Sequence, residues 1–288
     1  MSAAWKLDSG PDGTILFGPQ STNLPFAIAP EIGDPSRENQ DGTLPGVDGS
    51  FFGVDTTGGQ TIAFGLTAVG NTDAEANALY SAFRKVWRAD TIRRTPGAVA
   101  TLTAPSGRST FGRPRRITPA YYPTDAAVIG ITADFSTTDD LWYGDEESLQ
   151  VPFALSQGGG LVSPLKSPLV ARGYTTRQNT FTVGGEVSTP VVVTIKGAIL
   201  NPVVEVAGAF RYAAQTSLAY DEWITIDTRP GRQCVLRNGA KIASLTRTSS
   251  LITDGFLAPG AHTLTLSGSS STGNPAASIA WRSAYLTP

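Results

Sequence analysis

The sequence is poor in the side chains that most enzymes use for covalent and acid–base chemistry. Its 288 residues include one histidine, His262, and one cysteine, Cys234. A catalytic triad or a zinc site needs several such groups together, and no partner at metal-ligand spacing surrounds Cys234. Both residues are interpreted as ordinary strand positions, and a single cysteine excludes an intrachain disulfide. No catalytic, cofactor-binding or metal-binding residues are predicted.

Charge is also scarce and nearly balanced. Charged residues make up 16% of the chain, with 22 basic and 24 acidic side chains and a net charge of −2, against about 25% in an average soluble domain. Nucleic-acid binders usually carry a basic excess, and the two short basic clusters, at residues 84–88 and 113–116, are interpreted as surface or interface charge. A surface with few charges costs less to bury against copies of itself. We therefore expect a homo-oligomer and no sequence-specific nucleic-acid recognition.

Long hydrophobic runs are absent as well. No stretch approaches the roughly 18 to 20 apolar residues that a membrane span requires, so no membrane insertion is expected. Residues 1–8 show neither a basic start followed by an apolar run nor a cleavage site, as a secretory signal would. The expectation is synthesis and folding in a reducing cytoplasm.

Carboxylate chemistry stays open, because a glycoside hydrolase needs only two acids. The adjacent acidic pairs are Asp139-Asp140, Glu146-Glu147 and Asp221-Glu222. Neighbouring residues of a strand point to opposite faces, so each pair is interpreted as solvated charge. No EF-hand, phosphate-loop or dinucleotide pattern occurs. We expect a protein that is not an enzyme, and a glycan-cleaving enzyme is the third-ranked hypothesis.

The chain is rich in turn residues and in short alternating segments. It has 31 glycines and 20 prolines, which divide it into short pieces. Several pieces alternate with the period of two of a half-buried strand, at residues 61–66, 191–195, 223–226 and 262–266. Asn238-Gly239 predicts a type I′ hairpin between residues 234–236 and 242–245. Turns every 8 to 12 residues or so indicate a β-sandwich, and the chain is predicted to be mainly β.

One segment, residues 73–89, has the pattern of an amphipathic helix. The apolar residues of its single face are Leu79, Phe83, Val86 and Trp87. Thr72 and Glu75 form a capping-box pattern, and acids precede bases as the helix dipole favours. We expect this helix to pack its apolar stripe on a sheet formed by the strands on either side of it.

Two loops bear on the domain organisation. Residues 29–49 contain three prolines and no periodicity, which predicts an extended excursion over the surface or onto a neighbour. Residues 157–168 are rich in glycine and proline near the middle of the chain, and an alternating segment begins just before them. We place the domain boundary there, with an N-terminal domain of residues 1–147 and a C-terminal domain of residues 148–288.

Exposed aromatic side chains are a common feature of sugar-binding sandwiches. The candidates here are Tyr121, Tyr122, Trp142, Tyr143, Trp223 and Trp281. Trp223 and Trp281 lie in strand-like contexts and are interpreted as core residues. Trp142 and Tyr143 lie at a domain edge and are interpreted as residues that pack the junction. A carbohydrate-binding β-sandwich that contacts host surface glycans through these two residues is the alternative hypothesis.

Turn and strand residues carry a resemblance along nearly the whole chain. The first segment, residues 37–68, reads RENQDGTLPGVDGSFFGVDTTGGQTIAFGLTA. Its matching positions are Arg37, Pro45, Asp48, Gly49 and Gly53, followed by the predicted helix. Next come an arginine-rich strand at residues 108–117 and the end of the domain at residues 134–144. The second half contributes GGEVSTPVVVTIKGAILNPVVEV at residues 184–206, and the turns and strands of residues 226–238 and 259–264. This pattern resembles the distal tail proteins of siphophages and the minor tail proteins of actinobacteriophages.

The resemblance implies a β-rich, ring-forming N-terminal belt domain and a galectin-like C-terminal β-sandwich. The chain would be a structural virion protein of the tail tip, made in the cytoplasm of the bacterial host. It would form a ring, expected to be hexameric, that joins the tail tube protein to the hub, tail-associated and tape-measure proteins. The excursion at residues 29–49 is the candidate arm that clasps the neighbour. The candidate intersubunit contacts are Arg37, Asp48, Arg113 and Arg115.

Overall fold

The computed structural model describes residues 4–43, 45, 46, 48–122, 127–153, 179–241, 245–270 and 275–288. The chain forms two compact units. The first unit contains Met1–Gly144 and the final segment Tyr285–Pro288, and the second contains Asp145–Ala284. The Gly/Pro-rich stretch that was predicted at residues 157–168 lies outside the described residues.

The first unit is an antiparallel sheet with two helices. Its strands are β1 (Trp5–Asp8), β2 (Thr14–Phe17), β3 (Phe26–Ile32), β4 (Arg37–Glu38), β5 (Thr56–Thr57), β6 (Thr61–Val69), β7 (Ala100–Thr103), β8 (Ser109–Tyr121) and β9 (Val128–Thr137), and β10 (Trp142–Pro152) begins in it. The strand order is β2-β1-β7-β8-β9-β6-β3, so β3 lies at one edge of the sheet, while β4 pairs only with β5. Alternation places every second residue of β6 in the core, as the period-two pattern predicted.

The predicted amphipathic helix is α1 (Asp73–Arg88), and the mainly β fold with this helix is confirmed. Thr72 caps it, because its side-chain oxygen accepts a hydrogen bond from the backbone N–H of Glu75 at 3.3 Å. The buried residues of α1 are Ala76, Tyr80, Phe83, Val86 and Trp87. Ala89 then adopts a left-handed conformation with φ of 44°, and the chain continues as a short second helix, α2 (Asp90–Arg94), which the sequence pattern did not predict.

The second unit is a sandwich of two antiparallel sheets. Its strands are the end of β10, then β11 (Asn179–Val183), β12 (Thr189–Lys196), β13 (Ile199–Val206), β14 (Phe210–Ala213), β15 (Ser217–Leu218), β16 (Trp223–Asp227), β17 (Cys234–Arg237), β18 (Ala240–Lys241), β19 (Phe256–Leu257), β20 (Gly260–Ser269) and β21 (Ala276–Tyr285). One sheet has the order β18-β17-β16-β12-β21-β10, with β19 beside β12, and the other has the order β11-β20-β13-β14, with β15 beside β13. Both sheets contribute side chains to one core, for example Val193 from the first and Val204 from the second.

The hairpin predicted at Asn238-Gly239 is present. Both residues have positive φ, 48° and 81°, as a type I′ turn requires. They connect β17 to β18, and Arg237 pairs with Ala240. The second strand was predicted from residue 242, but it begins at Ala240, and residues 242–244 lie outside the described part of the chain.

Candidate interaction arm

A long hairpin extends the pairing of β3 and β6 beyond the sheet of the first unit. Ile32 pairs with Ile62, and the same register continues through β4 and β5, where Arg37 pairs with Thr57. Farther out, the backbones of Gly42 and Phe51 exchange two hydrogen bonds of 2.9 and 2.7 Å. We call residues 33–60 the arm. At about 3.3 Å per residue, its fully extended length from residue 33 to residue 45 would be about 40 Å.

The arm has only two strands because the third strand ends where the arm begins. The last pair between β6 and β9 joins Thr61 to Ser136, and the Thr137 N–H then donates to the Gln60 carbonyl at 2.9 Å. Beyond that point, as far as the described residues of the chain show, each arm strand pairs only with the other. A hairpin without further strands or a covering layer is marginally stable in water, so the arm is the part of the first unit that gains most from a partner.

The arm exposes large apolar side chains close to its tip. Phe51, Phe52 and Val54 are 64%, 80% and 75% exposed. Phe51 lies opposite Gly42 in the arm, and Phe52 and Val54 follow it on the way back to β5. Contiguous exposed apolar groups of this kind mark interaction surfaces on soluble proteins. Neither face of the arm tip is covered by the described residues of the chain.

Close contact between the two arm strands depends on a glycine. A Cβ atom at Gly53 would overlap the backbone carbonyl of Gln40. The Gly53 N–H donates to the Asp41 carboxylate at 3.1 Å, and the same carboxylate accepts from the Asn39 side chain at 3.3 Å. Gly53 is one of the positions that carry the resemblance, and in the structure it lets the two strands of the arm approach.

Two of the four predicted intersubunit residues, Arg37 and Asp48, lie on the arm, and both are exposed. The arm is longer than the predicted excursion at residues 29–49, since it includes the returning strand to residue 60. Within the described ranges, no ion pair involves Arg37 or Asp48. Their role as cross-subunit ion-pair members stays a prediction.

The other two predicted intersubunit residues lie on β8. Arg113 is half-buried, and its guanidinium donates to the carbonyls of Ala98 and Thr95, both at 2.8 Å. These bonds hold the segment that follows α2, so Arg113 has a structural role within its own unit. Arg115 is exposed. Its backbone carbonyl accepts a hydrogen bond from Arg93 at 2.9 Å, which fixes α2 against β8.

The glycan contacts of the alternative hypothesis are not accessible. Trp142 is 0% and Tyr143 is 4% exposed, because the first residues of β10 enter the core of the first unit. The Trp142 ring packs edge-on against Trp5 with the centroids 5.9 Å apart. The Tyr143 hydroxyl donates to Asp139 at 2.8 Å. The suggestion that these two aromatic rings contact glycans is therefore corrected: they are core residues.

Of the two tryptophans that were predicted to lie in the core, only one is buried. Trp281 is 5% exposed and belongs to the sandwich core, as predicted, whereas Trp223 is 38% exposed. Trp223 begins β16, where the alternation places Ile224 in the core and leaves the tryptophan outside. Tyr121 and Tyr122 are 66% and 56% exposed.

The acidic pairs do not form a reactive centre in the described part of the chain. Burial raises the pKa of Asp139, while its partner Asp140 is half-buried. The guanidinium of Arg237 bonds Glu222 at 2.6 Å and lowers the pKa of that carboxyl. Glu146 pairs with Arg282 at 3.1 Å. Each of these bonds is within a single unit and has a plain structural role.

Among the described residues, no group of three or more His, Cys, Asp or Glu side chains is placed to hold a metal ion. In the same ranges, neither helix is long and apolar enough to cross a bilayer.

Comparison with solved structures identifies the fold. The chain is similar to the crystal structure of the Dit protein of phage SPP1, with 14% identity, a TM-score of 0.52, and coverage of 91% of this chain and 93% of that chain. A chain of the phage P2 baseplate gives 13% identity, a TM-score of 0.48, and coverage of 96% and 98%.

The resemblance seen in the sequence is therefore confirmed at the level of the fold. No protein-family model matches the sequence. No curated protein sequence matches it at a significant level. The likeness thus lies in the tertiary structure.

Proposed function

We propose that this chain is a structural protein of a phage tail tip, which forms a ring between the tail tube and the hub. The observation that carries the proposal is a distal-tail fold with an unsupported, apolar-tipped arm. SPP1 Dit, whose fold is similar, is described as a paradigm of the hub adsorption apparatus in phages that infect Gram-positive bacteria. A role of this kind is performed by shape and needs no reactive group.

The arm suits a head-to-tail contact between identical subunits. In such a contact each subunit offers one surface and receives another, and a rotation that closes on itself yields a ring. Covering Phe51, Phe52 and Val54 would contribute about 3 to 6 kcal/mol per contact from removal of apolar surface from water. Part of this is offset by the entropy lost on association. Closure of the ring adds stability, because every subunit in a ring is held by two contacts.

We further propose that the ring is a hexamer of the virion tail tip, synthesised in the cytoplasm of the bacterial host. The belt domain would contact the tail tube protein on one side and the hub, tail-associated and tape-measure proteins within. The β-sandwich would face outward. These partners follow from the resemblance, and the arm supports the self-association on which they depend.

The mass of the purified chain in solution, alone and with a tail tube protein, tests the proposal. Sedimentation velocity and negative-stain imaging are expected to show closed rings of six copies. The triple variant Phe51→Ser, Phe52→Ser, Val54→Ser should abolish rings while leaving the unfolding midpoint unchanged, because all three side chains are exposed. Leu251→Ser, which removes a 68% exposed apolar residue of the sandwich, is the control and should assemble normally. A chain that stays monomeric at every concentration, with and without the tube protein, contradicts the proposed ring.

A further inference from the structure

The arm carries a strong local charge of one sign. Residues 33–60 contain five acidic side chains and one basic side chain. The acidic residues are Asp34, Glu38, Asp41, Asp48 and Asp55, and all five are exposed. In the described ranges, none of them takes part in an ion pair. The arm is therefore an acidic strip on a chain whose net charge is only −2.

The outer face of α1 carries the opposite charge. Arg84, Lys85 and Arg88 are exposed on the side of the helix that faces away from the core residues Phe83 and Trp87. We call these three residues the basic face. They line one wall of an open cleft of about 560 Å³, and the β1–β2 turn forms the other wall.

The acidic residues near the basic face are already engaged. Asp12 accepts hydrogen bonds from the backbone N–H and the hydroxyl of Thr91, at 2.9 and 3.0 Å. Asp90 pairs with Arg88 at 2.9 Å. Within the described part of the chain, Arg84 and Lys85 take part in no ion pair. Hydrogen bonds from the neutral Thr91 leave the charge of Asp12 in place, so the cleft, lined by three basic and two acidic side chains, has a net charge of +1. It presents Arg84 and Lys85 to an incoming acidic segment.

We propose that the acidic arm of one subunit docks on the basic face of the next subunit. This inference rests on the proposed ring and names the surface that receives the arm. Opposite charges on two different patches favour a contact of arm with face, and two acidic arms repel each other. The charge pattern therefore selects the head-to-tail contact that closes a ring over the arm-to-arm contact that would give a two-fold dimer.

Charge reversal tests the docking, because the two patches can be reversed separately. The first variant, Arg84→Glu with Lys85→Glu, makes the basic face acidic, and the second, Glu38→Lys with Asp55→Lys, reverses part of the arm. Each variant alone should raise the concentration for half-maximal assembly by at least about tenfold, since two attractions become repulsions. Lys6→Glu, an exposed reversal on β1, is the matched control and should leave that concentration unchanged.

Combining the reversals provides the decisive measurement. A chain with all four substitutions should recover assembly, and an equimolar mixture of the two variants should form rings in which they alternate. The unfolding midpoints should equal that of the wild type, which excludes misfolding as the cause of lost assembly. Loss of assembly without recovery in the combined chain overturns the pairing of arm with face. Wild-type rings that tolerate both reversals overturn the docking alone, whereas a wild type that never assembles overturns the ring itself.

Discussion

Trp87 is the residue whose replacement most directly tests how α1 is held in the first unit. Its side chain is fully buried, and its ring stacks on Phe83 with the centroids 5.1 Å apart. It also meets Phe17 and Phe64 edge-on at 6.3 and 6.1 Å. The indole N–H donates to the backbone carbonyl of Arg116 at 3.2 Å. Trp87 thus joins the helix to strands β2, β6 and β8 at once.

The cost of removing this side chain can be estimated from these contacts. Trp87→Ala should lower the free energy of unfolding of the first unit by about 4 to 5 kcal/mol, from the lost transfer energy and the cavity. Trp87→Phe should cost about 1 to 2 kcal/mol, since it keeps most of the aromatic packing and loses the hydrogen bond to the Arg116 carbonyl. Urea titration followed by circular dichroism measures both values, because that signal does not depend on the tryptophan that is removed.

The exposed neighbour Arg84 provides the control. Arg84→Ala should change the unfolding free energy by less than about 0.5 kcal/mol. If Trp87→Ala costs less than about 1 kcal/mol, the helix is not anchored through this cluster. Equal costs for the alanine and phenylalanine variants would instead show that the hydrogen bond, and not ring packing, provides the stability.

Two further predictions concern buried polar groups. Gly255→Ala should destabilise the sandwich by about 2 kcal/mol, because its Cβ would overlap the Tyr212 hydroxyl and lie 2.6 Å from the Thr228 methyl group. Tyr212→Phe should by itself be nearly neutral in thermal melts, since the Tyr212 hydroxyl has no hydrogen-bond partner among the described residues. Combined with Gly255→Ala, it should restore part of the stability that the alanine removes. A double variant no more stable than Gly255→Ala alone would contradict the steric explanation. Burial raises the pKa of the Asp139 carboxyl in the folded state above the usual value of 3.8. The folded state therefore binds the Asp139 proton more tightly than the unfolded state does. The stability that this proton contributes is lost as the pH rises from the unfolded-state pKa through the folded-state pKa. In urea titrations from about pH 3 to about pH 7, the stability of the wild type relative to Asp139→Asn should therefore fall with rising pH, and a constant difference would show that Asp139 titrates normally.

Local patterns in the sequence correctly predicted α1 and the Asn238-Gly239 hairpin. Apolar spacing and the Thr72 cap predict α1 because both depend on residues within one or two turns. The positive φ at Asn238-Gly239 likewise depends on the turn alone. The α2 helix was missed because it has only five residues. It depends on long-range contacts, such as that between Asp12 and Thr91, which no local pattern shows.

Burial of individual side chains could not be read from local patterns. Trp142-Tyr143 lies between Leu141 and Gly144 at a domain edge, and this position predicted packing at the junction without indicating which core the two rings enter. Its burial results from the pairing of β10 with β8, a contact between segments more than thirty residues apart. Trp223 was predicted to be a core residue but is 38% exposed. Its strand was predicted correctly, but the face that each residue occupies depends on which sheet covers it.

By itself, the sequence determined the mainly β class, the single long helix, the turns and the scarcity of reactive side chains, because these depend on composition and on short-range periodicity. The arm was decided by tertiary structure. A proline-rich stretch reads as an irregular loop, and only the register of β3 with β6 shows that residues 33–60 form one hairpin extending beyond the third strand. Pairing register and exposure depend on residues far apart in the chain, which is why the surface proposed to build the ring becomes visible only when the strands are in place.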